Sequence, residues 1–146
     1  MKVELSFSKN PAGSLQNLLE IFIGSRLLDI VLSSGKENIR LDLDTTSALN
    51  QEIKPQIVRI VLNRNPDFYY SSYTETTAIR RRISDPATIL QNELELQGAI
   101  ASGPQTLILF CRSNQAIAAG ELHLTFTHYK LYDEDFGWMD LTKLVR

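Results

Sequence analysis

The chain has 146 residues, 43% hydrophobic and 22% charged, with a formal net charge of −2. That length suits one domain with its own core, and the near-neutral, slightly acidic balance argues against a protein that works on nucleic acid or an anionic membrane surface. A single cysteine, Cys111, excludes an internal disulfide, no apolar run is long enough for a membrane helix, and the polar start MKVELSFSKN lacks the apolar stretch of a signal peptide, so a cytosolic product is expected.

The first element is KVELSF, where Val3, Leu5 and Phe7 alternate with polar residues as in a half-buried strand. NPAGS reads as a turn. Ser14 is placed to cap a short helix through Leu15, Leu18 and Leu19, but Leu19, Ile21 and Ile23 also alternate, which favours a strand over Glu20–Ile23. After Gly24–Ser25, the residues Leu28, Ile30 and Leu32 share a face opposite Asp29. SSGKEN is a hairpin connection, and Ile39, Leu41 and Leu43 alternate with Arg40, Asp42 and Asp44, so one face of that strand meets water.

QIVRIVLNRN supplies another strand. The region from Asp67 to Arg82 reads as a loop rich in tyrosine and arginine, ending in a short strand before Asp85–Pro86. ATILQNE suits one helical turn and ELELQGAI alternates again. QTLILFC is a continuous apolar run, the mark of a strand buried on both sides. ELHLTFTHYKLY has the clearest strand pattern in the chain, and DEDFGWMDLTKLVR reads as an acidic turn followed by a short helix. Seven to nine short strands separated by turn signals make an all-β fold, an antiparallel β-sandwich or jelly-roll-like domain spanning residues 1–146.

Chemistry-bearing residues scatter when strand parity is applied. His123 and His128 differ by five positions, so a regular strand sends them to opposite faces. In ELHLTFTHYKLY the apolar parity also changes, from Leu122, Leu124 and Phe126 to Tyr129 and Leu131; either a bulge sits near Thr127–His128 or the strand changes partners there. No H-x-x-x-H or C-x-x-C spacing supports a metal, and Asp133–Asp135 lacks the spacing of a calcium loop. No nucleophile elbow or glycine-rich phosphate loop occurs, and Cys111 follows LILF, where a thiol is buried and inert. No catalytic residue, metal or cofactor is therefore expected.

Recognition is a better match to the residue types. Phe68, Tyr69, Tyr70 and Tyr73 precede Arg80, Arg81 and Arg82, and tyrosine with arginine is the composition of contact surfaces. The bland reading is that two of these rings pack under the loop. In a strand Arg80 and Arg82 face one way and Arg81 the other, so no three-pronged phosphate clamp forms. Trp138 is the remaining interface candidate, although its commoner role is to anchor a chain end.

Two segments carry a resemblance. LLEIFIGSRLLDIVL (18–32) resembles a strand–turn–strand opening in small β-sandwich structural proteins of tailed bacteriophages, and TLILFCRSNQAIAAGELHLTFTHYKL (106–131) is similar to their closing hairpin. The resemblance implies a part that decorates capsids or builds tails, collars or fibres as a symmetric oligomer in the virion. It assigns no role to any residue. The expectation is a non-enzymatic, self-associating protein; the alternative is a small-ligand or glycan-binding module that stacks sugars on its tyrosines.

Overall fold

The computed structural model describes residues 10–33, 35, 37–49, 56–64, 66–72, 82–91, 93–113, 120–133 and 139–140. The expected first strand at KVELSF lies outside them. The chain runs α1 (Pro11–Leu19), a 3₁₀ turn (Glu20–Phe22), then β1 (Arg26–Leu32), β2 (Asn38–Asp44), β3 (Ile57–Asn63), β4 (Asp67–Ser72), β5 (Arg82–Ile83), α2 (Pro86–Leu90), β6 (Leu94–Gly103), β7 (Thr106–Ser113), β8 (Gly120–Thr125), β9 (His128–Asp133) and β10 (Met139–Asp140).

Among the described residues the ten strands form one sheet in the order β10-β9-β3-β2-β1-β6-β7-β8-β4-β5, and every pairing is antiparallel. This sheet cannot be flat. β8 and β9 lie six strand spacings apart in that order, about 29 Å if the sheet were planar. The link from Thr125 to His128 reaches at most about 11 Å. The sheet therefore folds over into two layers of five strands, β10-β9-β3-β2-β1 and β6-β7-β8-β4-β5. The link crosses the roughly 10 Å between stacked layers. The chain also changes layers between β3 and β4, which lie in different halves of the strand order. The result is the expected all-β, sandwich-like architecture.

The layers join along one short seam. Arg26 pairs with Glu95, and two further backbone bonds extend the contact, Gly24 N–H to Leu96 O and Leu96 N–H to Ser25 O, both 2.8 Å. Gly24 sits there at φ +97°, and a Cβ would stand 2.9 Å from Ser47 O, so only glycine fits.

Alternation builds the core. Ile39, Leu41 and Leu43 of β2 and Val58, Ile60 and Leu62 of β3 point inward from the first layer, and Leu107, Leu109, Leu122 and Leu124 from the second. Phe126, in the β8–β9 crossing, meets Tyr129 edge to face with centroids 6.0 Å apart. Gly120 faces Tyr70, whose hydroxyl a Cβ would strike, with Ser71 O only 2.7 Å away. The missing side chain makes room for the fully buried ring.

Several expectations need correction. Residues 11–22 are helical and contain no strand over Glu20–Ile23. Asn10, not Ser14, caps α1: its Oδ1 accepts from Gly13 N at 3.0 Å, with Pro11 in the first turn. NPAGS was thus a helix start, since asparagine followed by proline satisfies the first turn. Leu15, Leu18, Leu19 and Phe22 form its buried face, while Ile21 is left exposed. In β1 the register slips between Leu27 and Asp29, so Leu28 bulges outward rather than sharing a face with Ile30 and Leu32. Residues 67–72, read as loop, are strand β4. QTLILFC is buried on one side only: Leu107, Leu109 and Cys111 are buried, whereas Ile108 and Phe110 are half-exposed. Residues 139–140 are strand β10; the rest of the segment read as an acidic turn and short helix lies outside the described residues, apart from Asp133 at the end of β9. No helix among the described residues is long and apolar enough to cross a membrane.

Candidate functional site

The two outer faces of the sandwich differ in chemistry. On the first layer the outward residues of β1, β2 and β3 form an ion network. Asp29 and Asp42 stand directly opposite each other in the register, a like-charge pair that would repel. Arg40 lies between them, 3.7 Å from Asp29 and 3.5 Å from Asp42, and Arg59 Nε donates to Asp42 Oδ1 at 3.0 Å. Asp42 is 8% exposed, so its polar surroundings are these arginines more than water. That strand face meets water at Asn38, Arg40 and Asp44, as expected, while Asp42 is covered by the neighbouring arginines.

The outer face of the second layer is aromatic and apolar. Tyr69, His123, Ile108 and Ile100 stand in register across β4, β8, β7 and β6. The Tyr69 and His123 rings stack with centroids 4.4 Å apart and planes 11° from parallel. On the other side of β4, Arg82 of β5 holds its guanidinium carbon 4.4 Å from the Tyr69 centroid. Because β4 lies between β8 and β5, both faces of Tyr69 are covered, one by imidazole and one by guanidinium. The neighbouring row carries Glu121 opposite Phe110 on one side and Ser71 on the other, and Glu121 Oε1 lies 3.4 Å from His123 Nε2.

Partial burial holds His123 below the ordinary imidazole value; the Glu121 carboxylate pulls the other way, and Arg82 pushes it down again. Neutral imidazole is thus favoured where it stacks. Cys111 differs in kind. Burial pushes its thiol up to about 12, and its Sγ donates to Leu109 O at 3.6 Å, so it is a core residue and not a nucleophile. It points inward while His123 points outward, which separates the two by the sheet itself.

The candidate interface residues divide by strand parity. Tyr69 and Arg82 meet on the outer face. Phe68 and Tyr70 do not belong to a surface: they are 5% and 0% exposed, because β4 alternates and sends them into the core. Tyr73, Arg80, Arg81 and Trp138 lie outside the described residues. His123 and His128 sit on opposite outer surfaces of the sandwich, His128 on β9 beside Asn63 at 3.4 Å. The parity change at Thr127 is a change of partners: β8 pairs with β7 and β4, β9 with β3 and β10. Asp133 is buried, and Glu134 and Asp135 lie outside the described residues. Among the described residues no three His, Cys, Asp or Glu side chains converge as metal ligands would.

Ile100, Ile108, Phe110, Glu121 and His123 were not singled out as contact residues. The signal was present in QTLILFC, since an apolar run without alternation means that both strand faces are apolar. It does not say what covers the second face.

These features define a class, an antiparallel β-sandwich with one ion-paired and one aromatic outer face. Comparisons with family models, with curated proteins and with solved structures find no match for the chain.

Proposed function

We propose that the protein is a non-enzymatic structural component that works by self-association, of the kind that decorates a capsid or builds a tail or collar in a virion. The observation that carries the reading is the contrast between the outer faces. One pairs charges across its strands through Arg40, Arg59, Asp29 and Asp42. The other presents Ile100, 48% exposed, with half-buried Ile108 beside it in register, next to a pre-stacked tyrosine, histidine and arginine. Apolar and aromatic side chains rimmed by charge are characteristic of protein contact surfaces.

The virion part of the proposal is supported by the resemblance alone. Within residues 106–131, β7 and β8 pair antiparallel from Thr106↔Thr125 to Cys111↔Gly120, and the next strand, β9, pairs with β3 instead. Residues 18–32 depart from it, since they run from the end of α1 through a 3₁₀ turn into β1. The glycan alternative loses its stacking platform at two of its tyrosines: Tyr69 has both faces occupied and Tyr70 is buried.

Light scattering on the purified chain tests the proposal. A mass that is a multiple of 16.5 kDa is the expected result. A monomer persisting to the solubility limit would defeat it.

A further inference from the structure

We infer that the outer face of the second layer is the surface on which a second copy of this chain docks, with the Arg82–Tyr69–His123 stack as its rigid centre. The inference deepens the assembly reading and rests on it.

Four observations favour a copy of the chain over another occupant. The first is the apolar row. Ile100 is 48% exposed, next to Ile108 in register, and burial of such side chains is what drives association. The second is preorganisation. Tyrosine and arginine dominate contact energies, and here they are already held against one another, so little rotamer freedom remains to be lost on docking.

The third is charge. Among the described residues of this face, Arg82 and Arg112 stand against Glu95, Glu121 and Asp67, so a copy meets both signs. Arg82 lies at the β5 margin and Glu95 at the β6 margin of the layer. A two-fold axis parallel to the strands lays each margin over the opposite one, which is how an isologous contact satisfies itself.

The fourth is area. Four adjacent strands of six to ten residues, β6, β7, β8 and β4, give roughly 500 Å² per copy, about 1,000 Å² for a pair, at the lower bound for a specific interface.

The test is sedimentation velocity on the wild-type chain, on Ile100→Glu, on Arg82→Glu, and on Lys130→Glu, which alters the outer side of β9 in the other layer. All are surface changes, and circular dichroism verifies that each variant folds. The expected result is at least a tenfold weaker association for Ile100→Glu and for Arg82→Glu, with Lys130→Glu like wild type. If the wild type associates and both second-layer variants associate equally well, this face is not the interface; the inference falls and the assembly reading stands. If the wild type is a monomer throughout, both fall.

Discussion

At the scale of single residues, His123 links structure to solution behaviour most directly. Its native value is held below the ordinary 6.5, chiefly by burial. The unfolded chain therefore binds a proton at a higher pH than the native one. The stability that comes from keeping this ring neutral is complete above 6.5 and is lost as the pH falls through the native value. Urea titrations on either side of that window are expected to show stability decreasing toward acid, and His123→Asn is expected to flatten the decrease. An equal slope in the variant would mean that the stack does not sense the proton. Further down in pH, Asp44 and Asp85 follow the same pattern. Hydrogen bonds from Thr46 and Thr88 hold their carboxyls below the ordinary 3.8, so their contribution is present above that value and is lost as the pH falls below it.

At the scale of elements, α1 shows how tertiary contacts select among local options. The helix lies against β6 and β7 of one layer and β9 of the other. It is tied at each point: Ala12 N–H donates to Pro104 O at 3.0 Å, Ala101 N–H to Gln16 Oε1 at 2.7 Å, and the Ser14 and Tyr129 hydroxyls share a bond of 2.8 Å. Burial pushes the Tyr129 phenol up to about 12 against the pull of that bond. A nine-residue helix is too short to persist in water by itself, so its stability comes from these contacts. Leu15, fully buried on its inner face, is expected on truncation to alanine to cost about 2–5 kcal/mol. Chemical denaturation measures this loss directly, and a value under about 0.5 kcal/mol, typical of surface substitutions, would show that the helix is not part of the core.

At the scale of the whole molecule, the crossings decide cooperativity. The first layer takes β1, β2 and β3, the second takes β4 to β8, and the chain returns to the first for β9 and β10. The first layer is not a contiguous stretch, and each layer leaves its apolar side uncovered without the other. Unfolding is therefore expected to be a single transition. Backbone and aromatic circular dichroism in urea should give coincident midpoints; separated midpoints would show that the layers fold independently.

Alternation was legible wherever a strand had one dry and one wet side. The sequence by itself determined the all-β class, the pattern of β2, the inert setting of Cys111 and the break near Thr127, because each depends only on which neighbours share a face. It left undecided the helix at 11–19, since Leu15, Leu19, Ile21 and Ile23 satisfy both periods, and the strand at 67–72, whose turn-forming residues outweighed its aromatic alternation. Only the tertiary structure decided that Tyr69 meets His123 and Arg82 while Phe68 and Tyr70 are buried. That outcome depends on which distant strands become neighbours, and strand order is set by the packing of the two layers, a contact between residues far apart in the chain that no local pattern encodes.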